Sequence, residues 1–85
     1  METFEFTVTD QNGIHARPAG LLVKEAQNLS SELTIACKGK SVNLKKLLAV
    51  MSLGAKCGDV LTVTATGSDA EKDCEHLESF MKANL

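Results

Sequence analysis

Two side chains of this sequence, His15 and Arg17, have the types and the spacing to work on a phosphate-like anion. They stand within Gly-Ile-His-Ala-Arg-Pro-Ala-Gly, residues 13–20, directly after the turn signal Asn12-Gly13. An amphipathic pattern begins a few residues later, and Pro18, which has no N–H to satisfy, suits a first helical turn. A helix start is therefore predicted here, with His15 at or just before it, in front of the free amides of Ala16, Arg17 and Ala19. Free amides and the positive end of a helix dipole seat an anion. An unprotonated imidazole over that seat is a nucleophile, and Arg17 adds a permanent charge with a planar fork of donors suited to phosphoryl oxygens. The local chemistry is that of a histidine taking and giving a phosphoryl group, with Ala16, Arg17 and Ala19 holding the phosphate. The same residues also fit a surface or capping histidine beside a solvated arginine, and spacing alone leaves both open.

The elements that must position this stretch can be taken in order. Phe4, Phe6 and Val8 alternate with Thr3, Glu5 and Thr7, the pattern of a half-buried strand. After His15, the residues Ala19, Leu22, Val23, Ala26 and Leu29 recur at helical spacing and should face a core. Ala16, Gly20, Lys24 and Gln27 lie opposite. Gly20 costs about 1 kcal/mol against alanine inside a helix; it is either a local weakness or a way of keeping the surface beside His15 low. Leu33, Ile35 and Cys37 alternate inward, Lys38-Gly39 makes a tight turn, and Val42 and Leu44 continue the alternation on the return. Lys45 to Leu53 reads as a short helix capped by Asn43, apolar nearly all round. A domain this small has little interior to enclose such a helix, so if Val50 and Leu53 point inward, some of Leu47, Leu48 and Met51 must face solvent. Contiguous exposed apolar surface marks docking sites. Val60 to Thr66 is a strand with Leu61, Val63 and Ala65 inward, and Ser68 with Glu71 matches a capping box opening a last helix. There Ala70, Cys74, Leu77 and Met81 form the apolar stripe, and His76 falls on the wet side without an evident role. The order strand, helix, strand, strand, short helix, strand, helix fits an α+β domain spanning residues 1–85, one antiparallel sheet with helices on one face.

Composition narrows the function classes. The chain has 85 residues, 24% of them charged, a net charge of −2, three Phe and neither Tyr nor Trp. That balance gives no reason to expect nucleic acid as a partner. No apolar run is long enough to cross a bilayer and no signal pattern opens the chain, so membrane insertion is not expected and the cytoplasm is the default location. Cys37, Cys57 and Cys74 are odd in number and widely spaced, which argues against a disulfide framework and against a metal site. No glycine-rich nucleotide loop occurs, and no cofactor is called for. A small metal- or ligand-binding module using Cys and His is the rival of a different class, disfavoured by the lack of clustered cysteines.

The whole chain resembles HPr, the histidine-containing phosphocarrier family of the bacterial phosphoenolpyruvate–sugar phosphotransferase system. Two stretches carry the resemblance: Gly13-Ile14-His15-Ala16-Arg17-Pro18-Ala19, and Gly39-Lys40-Ser41-Val42-Asn43-Leu44-Lys45 continuing through Val50-Met51-Ser52-Leu53-Gly54. It implies an open-faced sandwich of four antiparallel strands under three helices, in the order β-α-β-β-α-β-α. It implies that His15, through Nδ1, accepts phosphate from enzyme I and passes it to sugar-specific IIA components, with Arg17 as its partner and no turnover of its own. It places Ala16, Gly20, Leu47, Leu48 and Met51 on a docking face, and a monomer is the default. A specialised paralogue or regulatory binding module of a nitrogen-related or single-sugar branch is the runner-up. Two positions depart. Gly20, where many members carry Thr or Ala, does so only mildly. Many members carry a regulatory serine directly after the lysine of the second motif; here it is Lys46, and neither Ser41 nor Ser52 occupies that place. Serine-based regulation is not carried over.

Overall fold

The computed structural model describes residues 1–85. Four strands and three helices follow one another as β1 (Glu2–Thr7), α1 (Ala16–Gln27), β2 (Glu32–Cys37), β3 (Lys40–Asn43), α2 (Leu47–Met51), β4 (Val60–Thr66) and α3 (Ala70–Asn84). The sheet is antiparallel throughout, in the order β1-β4-β2-β3. Because β4 slots between β1 and β2, the unit β1-α1-β2 is a split β-α-β in which α1 crosses over the last strand. The open-faced α+β sandwich expected from the sequence is the observed one.

Alternation decides which face is covered. Leu33, Ile35 and Cys37 of β2 and Leu61, Val63 and Ala65 of β4 are buried beneath the helices. The other face carries hydroxyls in register: Thr3 lies opposite Thr64, which lies opposite Thr34, and the Thr3 and Thr64 hydroxyls are 3.2 Å apart. Ala19, Leu22, Val23 and Ala26 bring the stripe of α1 into the core, while Leu29 falls past the helix end and is only half-buried. Burial of a Leu or Val contributes roughly 1.5–3 kcal/mol, so this stripe fixes the rotation of α1 and with it the direction of His15.

Lys38 and Gly39 both have positive φ, +53° and +82°, as a two-residue hairpin turn requires. Two expected caps differ from what is found. Asn43 does not cap α2; its Oδ1 accepts the Lys45 amide at 2.8 Å in a local turn, and the helix begins two residues later than expected behind Lys46. Ser68 does not cap α3 either. Asp69 stands at that position, and its carboxylate accepts the Ser30 hydroxyl at 2.8 Å. Beside it, the buried Asp73 accepts both the amide and the hydroxyl of Ser31, at 3.1 and 2.5 Å. These two carboxylates tie the α1–β2 turn to the start of α3.

The loop between α2 and β4 matters most for the site. The Val8 amide donates to the Asp59 carbonyl in this loop and the Val8 carbonyl accepts the Gly58 amide, and Asp59 Oδ2 accepts the Lys56 amide at 2.8 Å and pairs with Lys38 Nζ at 3.0 Å. The Lys56 amide first, and then the Lys38 ammonium, hold the Asp59 carboxyl below its ordinary value. A carboxylate depressed in the folded state stabilises above its unfolded value, about pH 4, and that contribution disappears as pH falls through the folded value. Asp59→Asn should therefore lower the thermal midpoint near neutral pH, with the gap to the parent closing in acid. Parallel melting curves across pH check it, and a gap that persists in acid would remove the charge from the account.

Candidate functional site

His15 occupies the cap position of α1 with extended backbone (φ −98°, ψ −172°) and makes no side-chain capping bond. The first turn of α1 holds no acidic residue. No acid of its own first turn offsets the positive end of this helix, unlike that of α3, whose first turn carries Glu71 and Asp73. The amides of Ala16 and Arg17 donate to no protein acceptor. The Ala19 amide is a correction to the expected seat: it donates to the His15 carbonyl at 3.0 Å as the first bond of the helix, and Ala19 is fully buried. Pro18 has no N–H to add. Of the three amides expected to be free, two are, those of Ala16 and Arg17.

The loop before the helix sets the height of the ring. Gly13, at φ +68°, donates to the Asp10 carbonyl and Ile14 to the Ala55 carbonyl, both at 2.9 Å. Asp10 Oδ1 also accepts the Asn12 amide at 2.8 Å. The buried Ile14 anchors the core side, and His15, Ala16 and Arg17 emerge exposed. The imidazole has no hydrogen bond within the protein.

His15 and Arg17 line one shallow cleft of about 490 Å³ with Asp10, Asn12, Leu21 and the end of α3 at Ala83 and Asn84. The sequence reading missed these last four elements of its wall. Leu21 carried a signal, being an apolar residue outside the core phase of α1, and it is 45% exposed. The arrival of α3 carried none, because it depends on the tertiary packing of both helices.

Beyond α1, Val50 and Leu53 point inward while Leu47, Leu48 and Met51 are exposed, Leu48 at 81%. No loop covers them. The Gln27 side-chain amide donates to the Lys45 carbonyl at 3.0 Å and holds the start of α2 against the last turn of α1. Ala16 and Gly20 lie on the face of α1 toward solvent, and an added Cβ at Gly20 would touch nothing. Internal packing therefore does not demand glycine there.

His76 is not simply solvated: its Nε2 meets Glu25 Oε2, linking α3 to α1. Cys37 and Cys74 are buried, and burial pushes the Cys74 thiol up; Cys57 is exposed. No three His, Cys, Asp or Glu side chains converge as a metal site, and no helix is long and apolar enough to cross a membrane.

Comparison with known proteins places these features in a family. Residues 2–83 match the family model PTS-HPr, described as the PTS HPr component phosphorylation site. The histidine-containing phosphocarrier protein of Mycoplasma is 39% identical with a TM-score of 0.90, the match covering 94% of this chain and 91% of that one. The phosphocarrier protein HPr of Bacillus anthracis is 38% identical with a TM-score of 0.85, covering 93% and 94%. Crh, the catabolite repression containing protein of Bacillus subtilis, crystallised as a dimer with a swapping domain, is 32% identical with a TM-score of 0.76, covering 94% and 92%.

Proposed function

This chain belongs to the HPr family of phosphocarrier proteins, and from that premise we propose that His15 accepts a phosphoryl group from a phosphorylated enzyme I and yields it to sugar-specific IIA components. The observation that carries this is an exposed imidazole without an internal partner, on the residue directly before two unspent amides at a helix start whose first turn holds no acid, with Arg17 in the same cleft. An imidazole nitrogen attacks phosphorus as the bond from phosphorus to the donor breaks, and the reverse exchange delivers the group onward. Nδ1 is the nitrogen that the family resemblance implies. Transfer of this kind depends on positioning and charge stabilisation. The amides of Ala16 and Arg17 and the Arg17 guanidinium meet the phosphoryl oxygens; Ala19 contributes the first helical bond instead.

Two partners must take turns on one small protein, so both need the same face. The low surface at Ala16 and Gly20, joined to Leu47, Leu48 and Met51, supplies an apolar docking area beside the nucleophile. Leu21 extends it to the cleft. The likeness to Crh favours a second reading, a regulatory or pathway-restricted paralogue, and the set of enzyme I and IIA proteins that load and drain His15 discriminates the two.

The test is incubation with phosphoenolpyruvate and a bacterial enzyme I, followed by intact-mass analysis, with one acid-labile phosphate expected. Arg17→Ala should fold as the parent does, since the side chain is exposed and unbonded. It should accept phosphate roughly tenfold or more slowly, as expected when one preorganised charge is removed from a transferring group. Equal rates in rapid-quench kinetics would take Arg17 out of the mechanism.

A further inference from the structure

A cleft that accepts an anion has no evident use for a carboxylate, yet Asp10 lines the one that holds His15 and Arg17. Of the eight residues around that cleft, Asp10 alone carries a negative charge and Arg17 alone a permanent positive one. Neither belongs to an ion pair; those of this chain are Lys38–Asp59, His76–Glu25 and Lys82–Glu78.

The carboxylate is also tied in place. Asp10 Oδ1 accepts the Asn12 amide at 2.8 Å, and the Asp10 carbonyl accepts the Gly13 amide at 2.9 Å. Side chain and main chain together close the turn that leads into Ile14 and His15. An unrestrained surface acid would swing away from an incoming phosphoryl group, and the bond to Asn12 denies Asp10 that freedom. The turn itself does not explain the charge. Asparagine closes the same kind of turn with an amide oxygen and carries none. The cleft supplies the account: an anion that settles beside His15 must share the space with a fixed carboxylate.

We propose that Asp10 sets the poise of the carrier: its carboxylate opposes the phosphoryl group on His15 and offsets part of the hold exerted by Arg17 and by the amides of Ala16 and Arg17. This rests on the carrier reading and deepens it. Transfer forms the bond from phosphorus to the imidazole nitrogen as the bond to the donor breaks, and delivery onward reverses the exchange. Asp10 makes and breaks no bond in either direction. What it changes is the energy of the loaded state. Binding that favours a resting state raises the barrier for leaving it, so a seat that holds the phosphoryl group too well impedes a protein that must give as readily as it takes. Like charges across a shallow cleft disfavour one another, and one fixed acid is a correction of modest size.

The test is a partition of phosphate at equilibrium. Isotope-labelled parent and an equal amount of an unlabelled variant share limiting phosphoenolpyruvate with a trace of a bacterial enzyme I, and intact-mass analysis reads how much of each is loaded. The ratio depends on the loaded-state energies, not on how fast enzyme I serves either chain. Asp10→Asn keeps an oxygen for the Asn12 amide and should melt as the parent does. The partition should favour it about threefold at about 0.01 M salt. That preference should shrink at about 1 M salt, where the Debye length falls from about 30 Å to about 3 Å. Asp10→Ala, without charge or turn bond, should shift the same way. Glu5→Gln removes an exposed acid of β1 and should partition evenly. Even partition for Asp10→Asn, a preference untouched by salt, or a matching one in Glu5→Gln overturns the proposal. So does a shift in Asp10→Ala alone, which assigns Asp10 to the turn only. A parent that takes up no phosphate at all overturns the carrier reading itself, an outcome separate from these.

Discussion

Replacing His15 by alanine should abolish phosphoryl uptake while leaving the fold untouched. The imidazole forms no hydrogen bond, caps nothing and faces solvent, so its loss should move the stability by no more than about 0.5 kcal/mol. Nothing else in the cleft can replace it. Asp10, Asn12 and Asn84 offer oxygens and amide nitrogens, none of them a nucleophile comparable to a neutral imidazole, and the exposed Cys57 does not line the cleft. The second histidine, His76, meets Glu25, more than two turns along α1 from the amides of Ala16 and Arg17. Intact-mass analysis after incubation with phosphoenolpyruvate and enzyme I should therefore show the unmodified mass for His15→Ala and one added phosphate for the parent. The parent's adduct should vanish in acid and survive in base, as a phosphorus–nitrogen bond does and a serine phosphate does not. A phosphate on the alanine variant would move the chemistry to another residue and leave the helix start without a function.

The reach of sequence reasoning here follows the range of the interactions involved. Alternation in β2 and β4 and the stripe of α1 are local patterns, each enforced by one buried face, and every inward residue named for those strands is buried. Confinement also exposed α2: five helical residues cannot hide all their apolar side chains in a domain this small, so Leu47, Leu48 and Met51 had to face out. The errors lie where a polar side chain had a choice. Asn43 and Ser68 are good capping types, but Asn43 closed a turn of its own, and Asp69 displaced Ser68 at the α3 cap. Asp73, a helix acid with no special place in the sequence pattern, is drawn inside by the Ser31 amide and hydroxyl. For Asp69 and Asp73 no local pattern distinguishes the outcome, because the deciding serines are some forty residues away, whereas Asn43 had a competing amide only two residues on. At the proposed site, residue types and spacing offered His15 and Arg17 beside a plain surface reading and the family resemblance favoured them, whereas the count of free amides depended on which carbonyl Ala19 would meet.

The residue that holds His15 at its height is Gly13, and Gly13→Ala is expected to be the most damaging single-methyl change in the chain. Two costs combine. At φ +68° an alanine is in the left-handed region, which costs about 1 kcal/mol or somewhat more. The added Cβ would also fall within the contact distance of the Ala55 carbonyl oxygen and 2.9 Å from Lys56 Cα, both backbone atoms that cannot rotate away. To relieve that, the 54–59 loop must part from the 10–14 loop, breaking the Ile14–Ala55 bond and lifting Ile14 from the core. The total should be about 2–4 kcal/mol, a large share of the roughly 5–15 kcal/mol available to a small domain. Gly39 provides the internal standard. Its φ of +82° imposes a similar conformational cost, but a Cβ there meets nothing, so Gly39→Ala should lose only about 1 kcal/mol. Denaturant titrations of the two variants measure the difference directly, and equal losses would mean that the approach of Ala55 is not what makes glycine necessary. Transfer kinetics, measured at a temperature where both variants are folded, then separate position from stability. Gly39→Ala should exchange phosphate at the parental rate, while Gly13→Ala should be slower even when fully folded, because the displaced 10–14 loop no longer holds His15 in place at the start of α1.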